Sequence, residues 1–171
     1  LAAKGKKVLV IDTDPQGNTT SGFGIEKNEL ENTIYELILG ECSIRDCIIS
    51  NIIKNVSVVP SNVNLAAAEI ELIGVDKKEF ILKNEVDYVK DDYDFIIIDE
   101  VHSVLGNDCR YETMLKLSRT ANNVIMLSAT PVQSRSEEYH KLLSLIQPER
   151  YSDMGEEEFT GLLELQNKIV R

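Results

Sequence analysis

Two short apolar runs, each ending in an aspartate, constrain this chain more than anything else in it. Val8-Leu9-Val10-Ile11 runs into Asp12, and Tyr93-Asp94-Phe95-Ile96-Ile97-Ile98, with its three isoleucines, runs into Asp99. Short apolar runs rich in β-branched residues, closed by turn residues, predict strands buried on both faces. Val56-Ser57-Val58-Val59, stopped by Pro60, predicts another, and Val124-Ile125-Met126-Leu127 a fourth. Between them the apolar spacing predicts helices over 31–40 and 43–53, from Leu65 to Leu72, and over 76–90, 108–120, 134–146 and 156–170. Ser43 is a candidate N-cap, as is Asn62 or Asn64, and Gly74 a helix stop. Strands alternating with helices mean β-α-β units and a mostly parallel, doubly wound α/β sheet in a single domain, 1–171.

In such sheets a ligand sits beyond the carboxyl ends of the strands. Three of the four predicted ends carry chemistry: Asp12 and Asp14 after the first, Asp99 and Glu100 after the third, Ser128 and Thr130 after the fourth. Carboxylates at buried strand tips hold magnesium directly or through water, and a neighbouring carboxylate can deprotonate an attacking water. Asp12 and Asp14, two apart, are expected to share a face before the Pro15 turn, unless one caps the next element and the other is solvated. Asp99-Glu100 after three isoleucines has the pattern of a Walker B strand, with Asp99 on magnesium and Glu100 as general base. The bland alternative is a strand ending in a solvated acidic turn.

Composition narrows the rest. The 171 residues carry 18 Lys and Arg against 29 Asp and Glu, a net charge of −11, which lacks the basic field of a duplex-binding or anionic-membrane-binding chain. No apolar run approaches the ~20 residues of a membrane span. Cys42, Cys47 and Cys109 show no C-x-x-C spacing and fit reduced cytoplasmic thiols; Cys42 and Cys47 are expected in the core. His102 and His140 receive no independent role.

Residues 1–99 resemble the ParA/Soj-type partition ATPases. The matching words are Gly5-Lys6-Lys7-Val8-Leu9-Val10-Ile11-Asp12-Thr13-Asp14-Pro15-Gln16-Gly17-Asn18-Thr19-Thr20-Ser21-Gly22, then Val59-Pro60-Ser61-Asn62, Leu65-Ala66, Ala68-Glu69-Ile70-Glu71-Leu72, and Tyr93 to Asp99. The resemblance implies a nucleotide-dependent, dimerising ATPase that segregates DNA, with ATP and magnesium as cofactors. It ties Asp14 to hydrolysis and places Asp12 and Asp99 near the metal.

From Tyr93 onward the chain also resembles a superfamily-two helicase of the Swi/Snf-like branch. Asp99-Glu100-Val101-His102 fits its D-E-x-H box, and Ser128-Ala129-Thr130-Pro131-Val132-Gln133 its S-A-T motif. That resemblance implies Asp99 on magnesium, Glu100 as catalytic base, and Ser128 and Thr130 coupling ATP state to movement. The expected organisation is a hybrid, 1–92 partition-like and 93–171 helicase-like, joined at the Walker B strand.

No G-x-x-x-x-G-K-[ST] phosphate loop occurs in the sequence. A P-loop-NTPase-like sheet lacking its P-loop strand is therefore expected, with a gap in the sheet and weak or absent ATP hydrolysis by the chain alone. Two other readings stand beside this one. One is an assembly module, homodimer included, that pairs through an exposed sheet edge. The other is phosphate binding by the Gly17–Gly24 segment, which lacks a lysine.

Overall fold

A computed structural model describes residues 1–77, 80–100, 123–127, 140–141, 143–144, 147–155 and 157–162. Its centre is a five-stranded sheet in the order β2-β3-β1-β4-β5. The strands are β1 (Val8–Asp12), β2 (Ile49–Ile53), β3 (Val56–Val59), β4 (Phe95–Asp99) and β5 (Val124–Met126). β1 lies parallel to β3 on one side and to β4 on the other, and β4 lies parallel to β5. Among the described strands only β2 runs antiparallel, against β3. The mostly parallel α/β architecture expected from the sequence is present.

The expected gap is not: β4 is hydrogen-bonded to β1 on one edge and to β5 on the other. Sheet continuity needs only backbone partners in register, and Val124–Met126 supply them.

Among the described residues the helices with defined bounds are α1 (Asn18–Gly22), α2 (Ile34–Leu39), α3 (Ile44–Cys47), α4 (Ala68–Glu71), α5 (Ile81–Asp87) and α6 (Pro148–Tyr151), and residues 140–141, 143–144 and 157–162 are helical too, within the spans expected over 134–146 and 156–170. α2, α3, α4 and α5 are shorter than the helices expected over 31–40, 43–53, Leu65–Leu72 and 76–90, and α1 and α6 fall where no helix is expected. Thr33 and Glu36 close a reciprocal cap on α2: Glu36 accepts from the Thr33 amide and hydroxyl, and Thr33 Oγ1 accepts from Tyr35 N. Gly40, at φ 76°, ends the helix in the left-handed conformation. Ser43 opens α3 as expected, its amide and hydroxyl both donating to Asp46.

The helix expected over 43–53 is corrected. Only Ile44–Cys47 is helical, and Ile49–Ile53 is the edge strand β2. Ile48, Ile49, Ile52 and Ile53 are β-branched, and Lys54-Asn55, with Asn55 at φ 66°, turns the chain straight back into β3. Asn62 caps the turn that follows β3, accepting from Asn64 N. That turn is a 3-10 segment, Val63–Ala67, leading into α4. The helix expected over 108–120 lies outside the described residues.

Alternation along β1 sorts the core. Leu9 and Ile11 face one side with Val59, Ile96 and Ile98, beneath Ile34, Leu37, Ile44, Leu65, Leu82 and Val86. Val8 and Val10 face the other with Val56 and Val58, against Phe23, Ile25 and Ile52. β1 is therefore buried at all five positions, Asp12 included. Among the described residues, no helix is long and apolar enough to cross a membrane.

Candidate functional site

The parallel register sets Asp12 beside Asp99 at the carboxyl ends of β1 and β4. From there residues 13–20 loop over the strand ends, and hydroxyls pin that loop. Thr13 Oγ1 donates to the Asp99 carbonyl at 2.7 Å. Thr19 Oγ1 donates to Asp99 Oδ2. Thr20 donates to Asp12 Oδ2 twice, from its amide at 2.9 Å and its hydroxyl at 2.6 Å. The same hydroxyl accepts from Ser61 N at 2.9 Å, which ties the loop to the end of β3 as well.

Asp12 is fully buried, and both its oxygens are engaged, since Oδ1 accepts from Asp14 N at 3.1 Å. A buried carboxylate with three donors is an anchor for the loop. Asp14 does not share its strand face. β1 stops at Asp12, and the half-buried Asp14 turns over the loop, accepting from Gln16 N at 2.9 Å and from Asn18 Nδ2 at 3.4 Å. Asp99 is half-buried, and Glu100, the next residue, sits at φ 56° in the left-handed region. For a side-chain-bearing residue that conformation costs about 1–2 kcal/mol, and such strain concentrates at functional positions.

Gly17 governs how closely the loop packs. Its φ is 58°, and a Cβ there would lie 2.6 Å from the Ser61 carbonyl oxygen. Lys27 Nζ reaches back to donate to the Gln16 carbonyl, and also to that of Gly17 at 3.4 Å. The Gly17–Gly24 segment proposed for phosphate thus folds as the short helix α1, with Thr19 and Thr20 turned onto Asp99 and Asp12.

The structure accordingly brings Asp12, Asp14, Asp99 and Glu100 to one end of the sheet. Ser128 and Thr130, the residues expected to couple nucleotide state to movement, lie outside the described residues, as do His102 and Cys109. His140 is structural: its Nε2 lies 2.8 Å from the Tyr151 carbonyl, and its ring stacks on Phe159 at 4.6 Å. Among the described residues, no three His, Cys, Asp or Glu side chains converge closely enough to hold a metal between them. Thr13, Thr19, Thr20 and Ser61, which organise the site, were not singled out from the sequence. The signal for them was the bare density of hydroxyls just after a strand-end aspartate.

Residues 1–132 match the family model AAA_31, described as an AAA domain. That match includes Asp99-Glu100-Val101-His102 and Ser128-Ala129-Thr130-Pro131-Val132, so the words behind the helicase resemblance fall within it except for Gln133. The sporulation initiation inhibitor protein Soj of Bacillus subtilis is 37% identical over 139 residues, covering 72% of this chain and 55% of Soj. The chain thus spans about half the length of that curated relative. Among solved structures, the cell division ATPase MinD of Pyrococcus furiosus superposes with a TM-score of 0.59 at 21% identity, covering 95% of this chain and 69% of MinD. Cobyrinic acid a,c-diamide synthase from Mycobacterium smegmatis, with bound ATP analog and magnesium, gives 0.52 at 19% identity, covering 87% and 72%. These two likenesses concern the fold.

Proposed function

The chain belongs to the AAA-domain family AAA_31, and from that premise we propose that it carries the carboxylate side of a partition-type ATPase site. The observation that supports this most is the pinning of the 13–20 loop onto the end of β4 by Thr13 and Thr19, which gathers Asp14, Asp99 and Glu100 at one edge. Asp99, half-buried beside a threonine hydroxyl, offers the hard oxygen donors that magnesium prefers. Asp12 supports it from behind as the buried anchor. In this reading magnesium supplies charge neutralisation for the ATP phosphates. Glu100 and Asp14 orient and deprotonate the attacking water.

Hydrolysis by these 171 residues is slow, because no Gly-rich, lysine-bearing loop is present to cradle the phosphates. DNA and a second copy of the chain are the partners of the whole protein in this reading. At net charge −11 this chain itself binds duplex weakly at physiological salt.

Thermal unfolding with and without millimolar magnesium-ATP tests the site. With no loop to cradle the phosphates the affinity is weak, and a concentration near Kd adds only about 0.4 kcal/mol, a rise of about a degree. The rise is expected in the native chain and absent in Asp99→Asn. A native midpoint that ignores magnesium-ATP overturns the reading.

A helicase-derived segment from residue 93 is the second reading, favoured by Asp99-Glu100-Val101-His102 and Ser128-Ala129-Thr130. It requires phosphate release that duplex DNA stimulates and Glu100→Gln removes. DNA-indifferent release dismisses it.

A further inference from the structure

Away from the strand ends, two sulfurs meet across the turn between α2 and α3. Cys42 Sγ lies 3.2 Å from Cys47 Sγ. The turn that brings them together is firmly made. Gly40 ends α2 with its amide on Leu37 O, Glu41 N donates to Glu36 O, and Ser43 starts α3 through Asp46. Cys47 is buried in the larger core, 1% exposed, and its thiol points at the Thr33 carbonyl, 3.3 Å away. Cys42 is only half-buried at the edge of that core. The pair therefore joins a half-buried cysteine at the edge of the core to a fully buried one.

We propose that Cys42 and Cys47 form a two-thiol oxidation site that takes a hydroperoxide and closes to an intrachain disulfide. A disulfide bond is about 2.0 Å long, so the sulfurs must approach by roughly an ångström, and the short turn carrying Cys42 can supply that movement. The Cys42 thiolate attacks one peroxide oxygen of hydrogen peroxide. The O–O bond breaks, the other oxygen leaves as hydroxide and takes up a proton to become water, and Cys42 becomes a sulfenic acid. The Cys47 sulfur then attacks the Cys42 sulfur. The S–S bond forms, the S–O bond breaks, and the hydroxyl leaves with the Cys47 proton as a second water. Two thiols lose two electrons and one peroxide gains them. Closure takes the Cys47 S–H away from the Thr33 carbonyl.

The surroundings set the pace. Burial raises the Cys42 thiol above its ordinary value; Cys47 opposes this as a hydrogen-bond partner, while the carboxylates of Glu36 on α2, Asp46 on α3 and Glu85 on α5 add to the rise. Burial raises Cys47 further still, with Cys42 adding to it. The thiolate fraction at neutral pH is small, so oxidation accelerates as pH rises.

The sequence makes the test direct. Trypsin cleaves after Lys27, Arg45 and Lys54, which places Cys42 and Cys47 on separate peptides, 28–45 and 46–54. The reduced chain is treated with hydrogen peroxide, remaining thiols are alkylated, and the digest is read by mass spectrometry. The expected product is the two peptides joined less two hydrogens, from protein that migrates as a monomer. It is lost on reduction with dithiothreitol and is equally abundant in Cys109→Ser. In Cys42→Ser, Cys47 is expected to remain alkylatable at the same peroxide dose. Four results overturn the proposal: Cys42 driven to sulfinic acid with Cys47 still free, a linkage to Cys109 or between chains, both thiols fully alkylated after peroxide, or Cys47 oxidising as fast in Cys42→Ser as in the native chain.

Discussion

Asp12 and Asp99 are register partners at the ends of adjacent parallel strands, yet different threonines of one short helix hold them. Thr20 holds Asp12 inside the protein, and Thr19 holds Asp99 at the half-buried mouth. In the proposed reading the two threonines therefore divide stability from function. Thr20→Val keeps the shape but leaves Asp12 short of a donor and Ser61 N without its acceptor. Each buried group left unsatisfied costs about 1–3 kcal/mol, so a loss of about 2–4 kcal/mol is expected by chemical denaturation. Thr19→Val should cost about 1 kcal/mol and show mainly as a smaller midpoint rise with magnesium-ATP. Equal losses of stability from both variants would contradict this division.

Gly17→Ala meets two obstacles at once. The backbone there is left-handed, and the new Cβ would sit 2.6 Å from the Ser61 carbonyl, a backbone atom fixed at the end of β3. A loss of about 1–3 kcal/mol is expected in a denaturation midpoint. Gly24→Ala, also at positive φ but with open space around it, makes the control and should cost less.

Glu100 separates backbone strain from side-chain chemistry. Glu100→Ala and Glu100→Gly remove the same side chain, so their difference reports the left-handed conformation alone. Gly is expected to be the more stable of the two by about 1 kcal/mol, the reverse of the usual order. Glu100→Gln should keep the fold and abolish whatever phosphate release the native chain shows. Retained release in that variant would remove Glu100 from the water-activating role.

Acid should loosen the scaffold through three aspartates away from the site. Asp94 is held below the ordinary carboxylate range by the Lys7 amide and by Lys6, and Asp46 by Ser43. Asp87 is pushed up by burial, but Lys83 and Lys90 outweigh this and leave it lowered. A lowered folded-state value means stability that is present above the unfolded value, near pH 4, and lost as pH falls through the folded one. Thermal midpoints are therefore expected to hold from pH 7 to about 5 and fall below about 4. Asp94→Asn should start lower at neutral pH and fall less. A native midpoint unchanged at pH 3 would show these contacts to be worth nothing.

The strands were legible because β-branched runs closed by aspartate or proline have few alternatives, and Val8–Asp12, Val56–Val59 and Phe95–Asp99 fall where their apolar patterns end. Ile49–Ile53 was not, because isoleucines spaced 48, 49, 52 and 53 satisfy a helical period as well as an edge strand. The Lys54-Asn55 turn decides between them only once β3 is there to pair with. At the site, the carboxylates were legible and their environments were not. No spacing distinguishes Asp12, sealed by Thr20, from Asp14, two residues on and folded over the loop. That difference depends on Ser61 arriving from another strand. Likewise, Cys42 and Cys47 read as separate core thiols because a five-residue spacing brings nothing together within a helix. It is the break between α2 and α3 that joins them.

The β1–β4 pairing also dictates an order of assembly. The β2–β3 hairpin closes over two residues, whereas the Thr13–Asp99 bond spans 86. Closing so long a loop carries a large entropic cost before any contact rewards it, and non-local strand pairings are the slow step in chains of this kind. Local structure on either side of the long loop is expected to form first, with Asp12 meeting Asp99 when β4 docks. The Asp12–Asp99 pairing is then expected late in folding, and refolding followed through a probe at Thr13 or Asp99 should lag behind one in the hairpin.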